Sequence, residues 1–124
     1  MNILSDVRQA LQGPVTSPEP GIFTGTFEFA ANHPIFTGHF PAYPLVPGVY
    51  LLQSMWLVGS LGANPAPELR TVRSTRFQAQ VKPPCQYLVM IKVETGKKPL
   101  LARGEIIYAG QVAAQAVFEL AEQS

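Results

Sequence analysis

The segment that most constrains the fold is residues 50–61, YLLQSMWLVGSL, which runs for about three helical turns without a charged side chain. A helix with no charged face needs burial on most of its sides, and a curved sheet wrapped around it supplies that burial. Pro41, Pro44 and Pro47 precede the segment, and they hold the backbone extended and stiff up to the start of the helix. The sequence therefore predicts a buried central helix entered from a rigid loop.

The rest of the chain is predicted to be mostly strands. A short helix is expected from a cap at Asn2 or Ser5 to Gln12. Residues 14–21 hold three prolines and show no periodicity, which predicts a loop. Short links between the last four strands favour antiparallel neighbours. The prediction is one α+β domain over residues 1–124. Alternating β-branched and aromatic residues predict its strands at 22–30, 69–81, 86–95, 100–109 and 111–121.

Composition excludes several classes of function. A net charge of +1 with 14% charged residues offers no general electrostatic attraction for nucleic acid. The lone Cys85 excludes an intramolecular disulfide, is interpreted as a small loop residue, and leaves no Cys/His cluster for a metal. Residues 50–63 are too short for a membrane span, and the N-terminus lacks the pattern of a signal peptide. We expect a cytoplasmic protein without metal, membrane or nucleic-acid partners.

Three residues around the central helix are candidates for chemistry. His39 titrates in a range suited to proton transfer near neutral pH, although a loop histidine can equally hydrogen-bond to backbone and fix the loop. Gly48 offers an unobstructed N–H at the helix start to a carbonyl oxygen, the alternative being ordinary helix initiation. Gln53 lies about one and a half turns into the helix and can donate and accept hydrogen bonds, but it cannot titrate. His33 is interpreted as a surface or loop-packing residue.

Residues 32–41, NHPIFTGHFP, followed by Pro44 and by Pro47-Gly48-Val49, resemble the hotdog-fold 3-hydroxyacyl-acyl carrier protein dehydratases. The pattern G-H-F-P-x-x-P-x-x-P-G-V combines rare residues at fixed spacing, and a weaker resemblance extends to residue 118. The resemblance implies a curved antiparallel sheet wrapped around one helix. It also implies a lyase that converts a 3-hydroxyacyl thioester on an acyl carrier protein to the trans-2-enoyl thioester in fatty-acid or polyketide biosynthesis. No cofactor is implied beyond the phosphopantetheine that carries the substrate.

The resemblance further implies that His39 removes the α-proton and water together with an acidic residue fourteen positions later, where this sequence has Gln53. The amide of Gly48 is implied to polarise the thioester carbonyl, and paired subunits to build each site from His39 of one chain and position 53 of the other. An amide cannot exchange a proton at useful pH. The residues predicted to bind the substrate are Phe36, Phe40, Pro47, Val49, Trp56 and Phe77.

Three functions remain open at this point. The first is a specialised dehydratase in which His39 performs the proton transfers and Gln53 orients water or the hydroxyl. The second is a non-catalytic or half-catalytic subunit that forms a heterodimer with a related hotdog chain rather than a homodimer. The third is an acyl-thioester binding protein or thioesterase on the same fold.

A basic patch is the candidate surface for the carrier protein or for the phosphate of its pantetheine arm. Regular strand alternation turns Arg73 away from its two arginine neighbours, so a solvated strand edge is the alternative. The residues predicted to bind the carrier protein are Arg70, Arg73, Arg76 and Lys82.

Overall fold

The computed structural model describes residues 2–36, 45–63, 68–94 and 99–121. Within these ranges the strands form one antiparallel sheet in the order β1-β2-β4-β5-β6-β3. The predicted α+β architecture is confirmed, with an apolar helix on one face of the sheet and a short N-terminal helix beside it. The elements are α1 Ile3–Ala10, β1 Leu11–Glu19, β2 Ile22–Phe29, a 3₁₀ turn Pro34–Phe36, α2 Gly48–Gly62, β3 Leu69–Phe77, β4 Cys85–Glu94, β5 Leu100–Tyr108 and β6 Gln111–Leu120.

Helix α2 is the centre of the core, as its uncharged sequence predicts. Met55 and Val58 are fully buried, and Ile91 of β4 packs on the same side of the sheet at 1% exposure. Gly104 of β5 permits this close packing, because a methyl group there would lie 2.7 Å from the sulfur of Met55. The absence of a side chain at Gly104 therefore leaves room for Met55 against the sheet.

The predicted loop over residues 14–21 is wrong, because most of this segment belongs to strand β1 at one edge of the sheet. Pro14 and Pro18 lack an N–H, and an edge strand tolerates them because only one of its sides pairs. The pairing with β2 is irregular at two places, and it is supported by a 2.7 Å hydrogen bond between the hydroxyls of Thr16 and Thr24. Long-range pairing thus overrides a local sequence typical of loops.

Strand β3 lies at the other edge, beside β6, so the expectation of antiparallel neighbours holds for β4–β5 and β5–β6 but not for β3–β4. The strand also ends at Phe77 instead of continuing to Val81. The N–H of Gln78 bonds to the carbonyl of Ala113 at 2.8 Å, and the carbonyl of Val81 accepts from the N–H of Val46 at 2.8 Å. The chain after β3 therefore holds the segment that leads into α2.

Candidate active site

Helix α2 begins at Gly48, with Pro47 as its N-cap in an extended conformation. The carbonyl of Pro47 accepts from the N–H groups of Tyr50 at 2.9 Å and Leu51 at 3.3 Å. Among the described residues, no acceptor is found for the N–H groups of Gly48 and Val49. These groups lie at the positive end of the helix dipole. The helix start can therefore bind a carbonyl oxygen that gains negative charge.

Phe77, the last residue of β3, lies directly over Gly48. A methyl group on Gly48 would be 2.8 Å from Cζ of Phe77, so any side chain at position 48 would displace the aromatic ring. The ring itself remains 50% exposed. The structure therefore brings together two residues predicted from separate parts of the sequence, the helix-start amide and an aromatic side chain suited to an acyl thioester.

One face of α2 is incompletely covered by this chain, and we call it the open stripe: Val49, Gln53, Trp56 and Ser60. Val49 is 52% exposed, and the other three are half-buried. The ring of Trp56 lies against Phe118 of β6 with 6.3 Å between centroids. The Gln53 amide has no hydrogen-bond partner among the described residues. It is therefore available to orient a substrate hydroxyl or water, but it cannot supply the proton.

Phe36 stands apart from these residues. It is 6% exposed and packs edge-to-face against Phe29 in the core, with 6.4 Å between ring centroids. Its predicted contact with substrate stays a prediction. His39 and Phe40 lie outside the described residues, so their predicted roles also stay predictions.

Two other residues with side chains that can be chemically reactive, His33 and Cys85, have structural roles. Nδ1 of His33 accepts from the N–H of Ile35 at 3.1 Å, and its ring packs edge-to-face on Phe29, which agrees with the loop-packing role predicted for it. Cys85 is the first residue of β4 rather than a loop residue, and it is 6% exposed. Burial is the main cause that raises the pKa of its thiol, which disfavours the reactive thiolate form.

The arginines of β3 do not alternate as a regular strand would require. The register of β3 against β6 is irregular at two places, one of them around Arg73. Nε of Arg73 lies 3.3 Å from Oε1 of Glu119, and Arg76 lies opposite Gln115. Glu119 and Gln115 are four residues apart on one strand and share a face, so Arg73 and Arg76 share that face, and the opposite-face prediction is wrong for them. Two predicted basic residues are exposed and make no side-chain ion pair with a described residue: Arg70 and Lys82.

Sequence reasoning missed a buried polar network that anchors α2. The hydroxyl of Tyr50 donates to Asp6 of α1 at 2.9 Å. The hydroxyl of Ser54 donates to the carbonyl of Tyr50 at 2.7 Å and lies 2.8 Å from the hydroxyl of Tyr87. Burial is the main cause that raises the pKa of Tyr50 to about 12, and the hydrogen bond to Asp6 and its charge add to it. Burial also raises the pKa of Tyr87.

Tyr50→Phe is expected to lower the free energy of unfolding by about 1 kcal/mol near pH 8, because one hydrogen bond between α1 and α2 is lost. The pKa of Tyr50 rises from 10.0 to about 12 on folding, so its contribution is present below pH 10 and is lost as the pH rises towards 12. The difference in the free energy of unfolding between wild type and variant should therefore become smaller between pH 10 and pH 12. Urea unfolding at pH 8 and at pH 11.5 measures it, and a difference that is constant or grows would contradict the assignment.

A family model described as ApeI-like, the ApeI dehydratase, matches residues 16–116 of this chain. The 3-hydroxyacyl-[acyl-carrier-protein] dehydratase FabZ of Pelotomaculum thermopropionicum is 31% identical over 100 residues, which cover 74% of this chain and 71% of that protein. The FabZ of Oceanobacillus iheyensis is 33% identical over 95 residues, which cover 70% of this chain and 68% of that protein.

A solved structure also resembles this chain. It is a chain of the dehydratase heterocomplex ApeI:P from Xenorhabdus doucetiae, which superimposes with a TM-score of 0.71 at 22% identity over 90% of this chain and 100% of that one. At this identity the likeness shows the hotdog fold alone. No helix in the described part of the chain is long and apolar enough to cross a membrane. From the family model and the FabZ relatives, we conclude that the chain belongs to the ApeI-like dehydratases and is a divergent member of the hotdog-fold 3-hydroxyacyl-acyl carrier protein dehydratases.

Proposed function

We propose that this chain takes part in the dehydration of a 3-hydroxyacyl thioester, carried on an acyl carrier protein, to the trans-2-enoyl thioester. The observation that carries the proposal is the N–H of Gly48, which has no acceptor among the described residues and lies at the start of α2, next to Val49 of the open stripe. The reaction breaks the C2–H and C3–O bonds, forms the C2=C3 double bond and releases water. The Gly48 N–H donates to the thioester carbonyl and stabilises the negative charge that develops as the C2 proton leaves.

His39 is the proposed proton acceptor, on the basis of the family pattern around it. With Gln53 as the second group, one histidine must both accept the C2 proton and return a proton to the leaving hydroxyl. The Gln53 amide can hold the hydroxyl by accepting its hydrogen bond or donating to its oxygen. Weak dehydration by this chain alone follows from that arrangement.

A second candidate function is a half-catalytic subunit completed by a related hotdog chain. All nine residues of β3 are exposed, and the strand pairs on one side only. The open stripe of α2 is likewise incompletely covered. An unpaired strand edge is a ready template for pairing with another chain. The description of the Xenorhabdus dehydratase as a heterocomplex supports this candidate, because a different partner can bring the carboxylate that Gln53 lacks.

The two candidates are separated by mass spectrometry of a 3-hydroxyacyl carrier-protein thioester incubated with the purified chain, alone and with a sister hotdog protein that has an acid at the position of Gln53. We expect slow enoyl formation by the chain alone and a rate about 10² higher in the mixture. Intact substrate with the chain alone, and dehydration only in the mixture, would favour the half-catalytic subunit. Free acid as the main product would contradict both candidates and indicate a thioesterase.

A further inference from the structure

The sheet face that points away from α2 carries a cavity of about 590 Å³, lined by side chains of several neighbouring strands. Lys92 of β4 lies directly opposite Arg103 of β5. The preceding residue, Ile91, is 1% exposed and lies opposite Gly104, which faces Met55 of α2. Because successive side chains of a strand alternate between faces, Lys92 and Arg103 point away from α2. We call this cavity the outer groove, defined by Arg76, Lys92, Arg103, Glu105 and Gln115.

The outer groove concentrates positive charge. Arg76, Lys92 and Arg103 line it, and Glu105 is the single acidic residue among its lining residues. Arg103 is paired with Glu94 at the rim, whereas Arg76 and Lys92 make no ion pair with a described residue. Like charges placed directly opposite each other, as Lys92 and Arg103 are, destabilise a sheet. The cations of the groove that have no ion pair with a described residue therefore favour an anionic partner.

The groove also has the position and extent of a protein contact. Arg76 is followed in β3 by Phe77, whose ring lies over Gly48 on the opposite face, so one end of the groove reaches the sheet edge next to the candidate active site. From Lys92 through Arg103 to β6 and β3 the groove crosses three strand spacings, or about 14 Å. Its apolar lining residues include Ile22, Met90 and Val117. A helix with acidic residues beside apolar ones complements such a surface.

We infer that the outer groove docks the acidic surface of the acyl carrier protein that delivers the thioester, an inference that rests on the proposed function. Arg76 acts in this surface with Lys92 and Arg103, rather than with Arg70, Arg73 and Lys82 as the sequence predicted. Charge complementarity of this kind steers encounter and selects the partner. A second copy of this chain is a poor occupant, because a symmetric contact would bring the same cations against each other.

The test measures binding of an apo-acyl carrier protein, which bears no phosphopantetheine arm, by fluorescence anisotropy at low salt. Wild type is expected to bind, and binding should weaken as salt is added. The triple variant Arg76→Glu/Lys92→Glu/Arg103→Glu is expected to bind at least about tenfold more weakly. Arg8→Glu, which reverses an exposed charge on α1, is the matched control and should bind as wild type does. Failure of wild type to bind, or unchanged binding by the triple variant, would overturn the inference.

Glu105→Gln tests whether the charge of the groove controls carrier binding, and its expected result is tighter binding rather than a loss. Glu105 accepts a hydrogen bond from Gln115 at 3.4 Å, and an amide oxygen can still accept it. Removal of the negative charge is expected to tighten carrier binding about two- to fivefold, a gain that partial unfolding cannot mimic. Weaker binding by this variant would count against the groove.

Binding and dehydration are separate readouts. Carrier binding with the expected charge dependence, together with no enoyl product in any assay, would overturn the proposed function and leave the docking surface standing. Enoyl product together with carrier binding that does not depend on the charge of the groove would support the proposed function and overturn the docking surface.

Discussion

Gln53→Glu is expected to raise the rate of dehydration by the purified chain by about 10² or more, because it supplies the second proton-transfer group that the amide lacks. Gln53 is half-buried on the open stripe of α2, and partial burial raises the pKa of a carboxyl group towards the range useful for an acid near neutral pH. The helix-start amide of Gly48 needs no change. Initial rates of enoyl formation from a 3-hydroxyacyl carrier-protein thioester measure the gain.

Ser60→Glu is the matched control for this gain. Ser60 lies on the same stripe, about 10 Å further along the helix axis, and it is also half-buried. The substitution adds the same charge to the same face of α2, and it should leave the rate of dehydration near that of wild type. Equal gains from both variants would mean that charge, rather than position, is responsible. No gain from Gln53→Glu in a folded protein would point to a partner subunit as the source of the acid.

His39→Ala is expected to lower the rate of dehydration by about 10² to 10⁴, because no other residue of the predicted site accepts the C2 proton near neutral pH. The loss should appear with the chain alone and in a mixture with an acid-bearing hotdog partner. Single-turnover rates with saturating substrate separate a loss of chemistry from a loss of binding.

His33→Asn is the control for the second histidine of the chain. The side-chain oxygen of the asparagine can replace Nδ1 of His33 as the acceptor for the N–H of Ile35, while the edge-to-face contact with Phe29 is lost. We expect modestly lower stability and a dehydration rate near that of wild type. A loss as large as that of His39→Ala would contradict the assignment of roles to the two histidines.

Local sequence was most informative where one physical effect dominates. The uncharged segment of α2 predicts burial regardless of the sequence around it, and Met55 and Val58 are fully buried. Period-two alternation located the later strands to within a few residues at their starts and ends. The same reasoning failed over residues 14–21, because prolines forbid a central strand but not an edge strand. Which strand is an edge depends on pairing with distant residues.

The arginines of β3 are a second place where the prediction from sequence was wrong. Strict alternation separates Arg73 from Arg76, but the register irregularity around Arg73 returns both to one face. Lys92 and Arg103, which join Arg76 in the outer groove, are not close to it in sequence. No local pattern indicates that these three cations meet, since only the strand order and register bring them together.

By itself the sequence determined the buried helix, the family resemblance of its G-H-F-P segment and the absence of an acid at position 53, because each follows from residue types and their spacing along the chain. Only the tertiary structure decided that Phe77 covers Gly48, that the stripe through Gln53 and Trp56 is left incompletely covered, and that the outer groove is cationic. The physical reason is that these features depend on which distant strands pair and in which register. Those are outcomes of packing the whole chain around α2 rather than of any local preference.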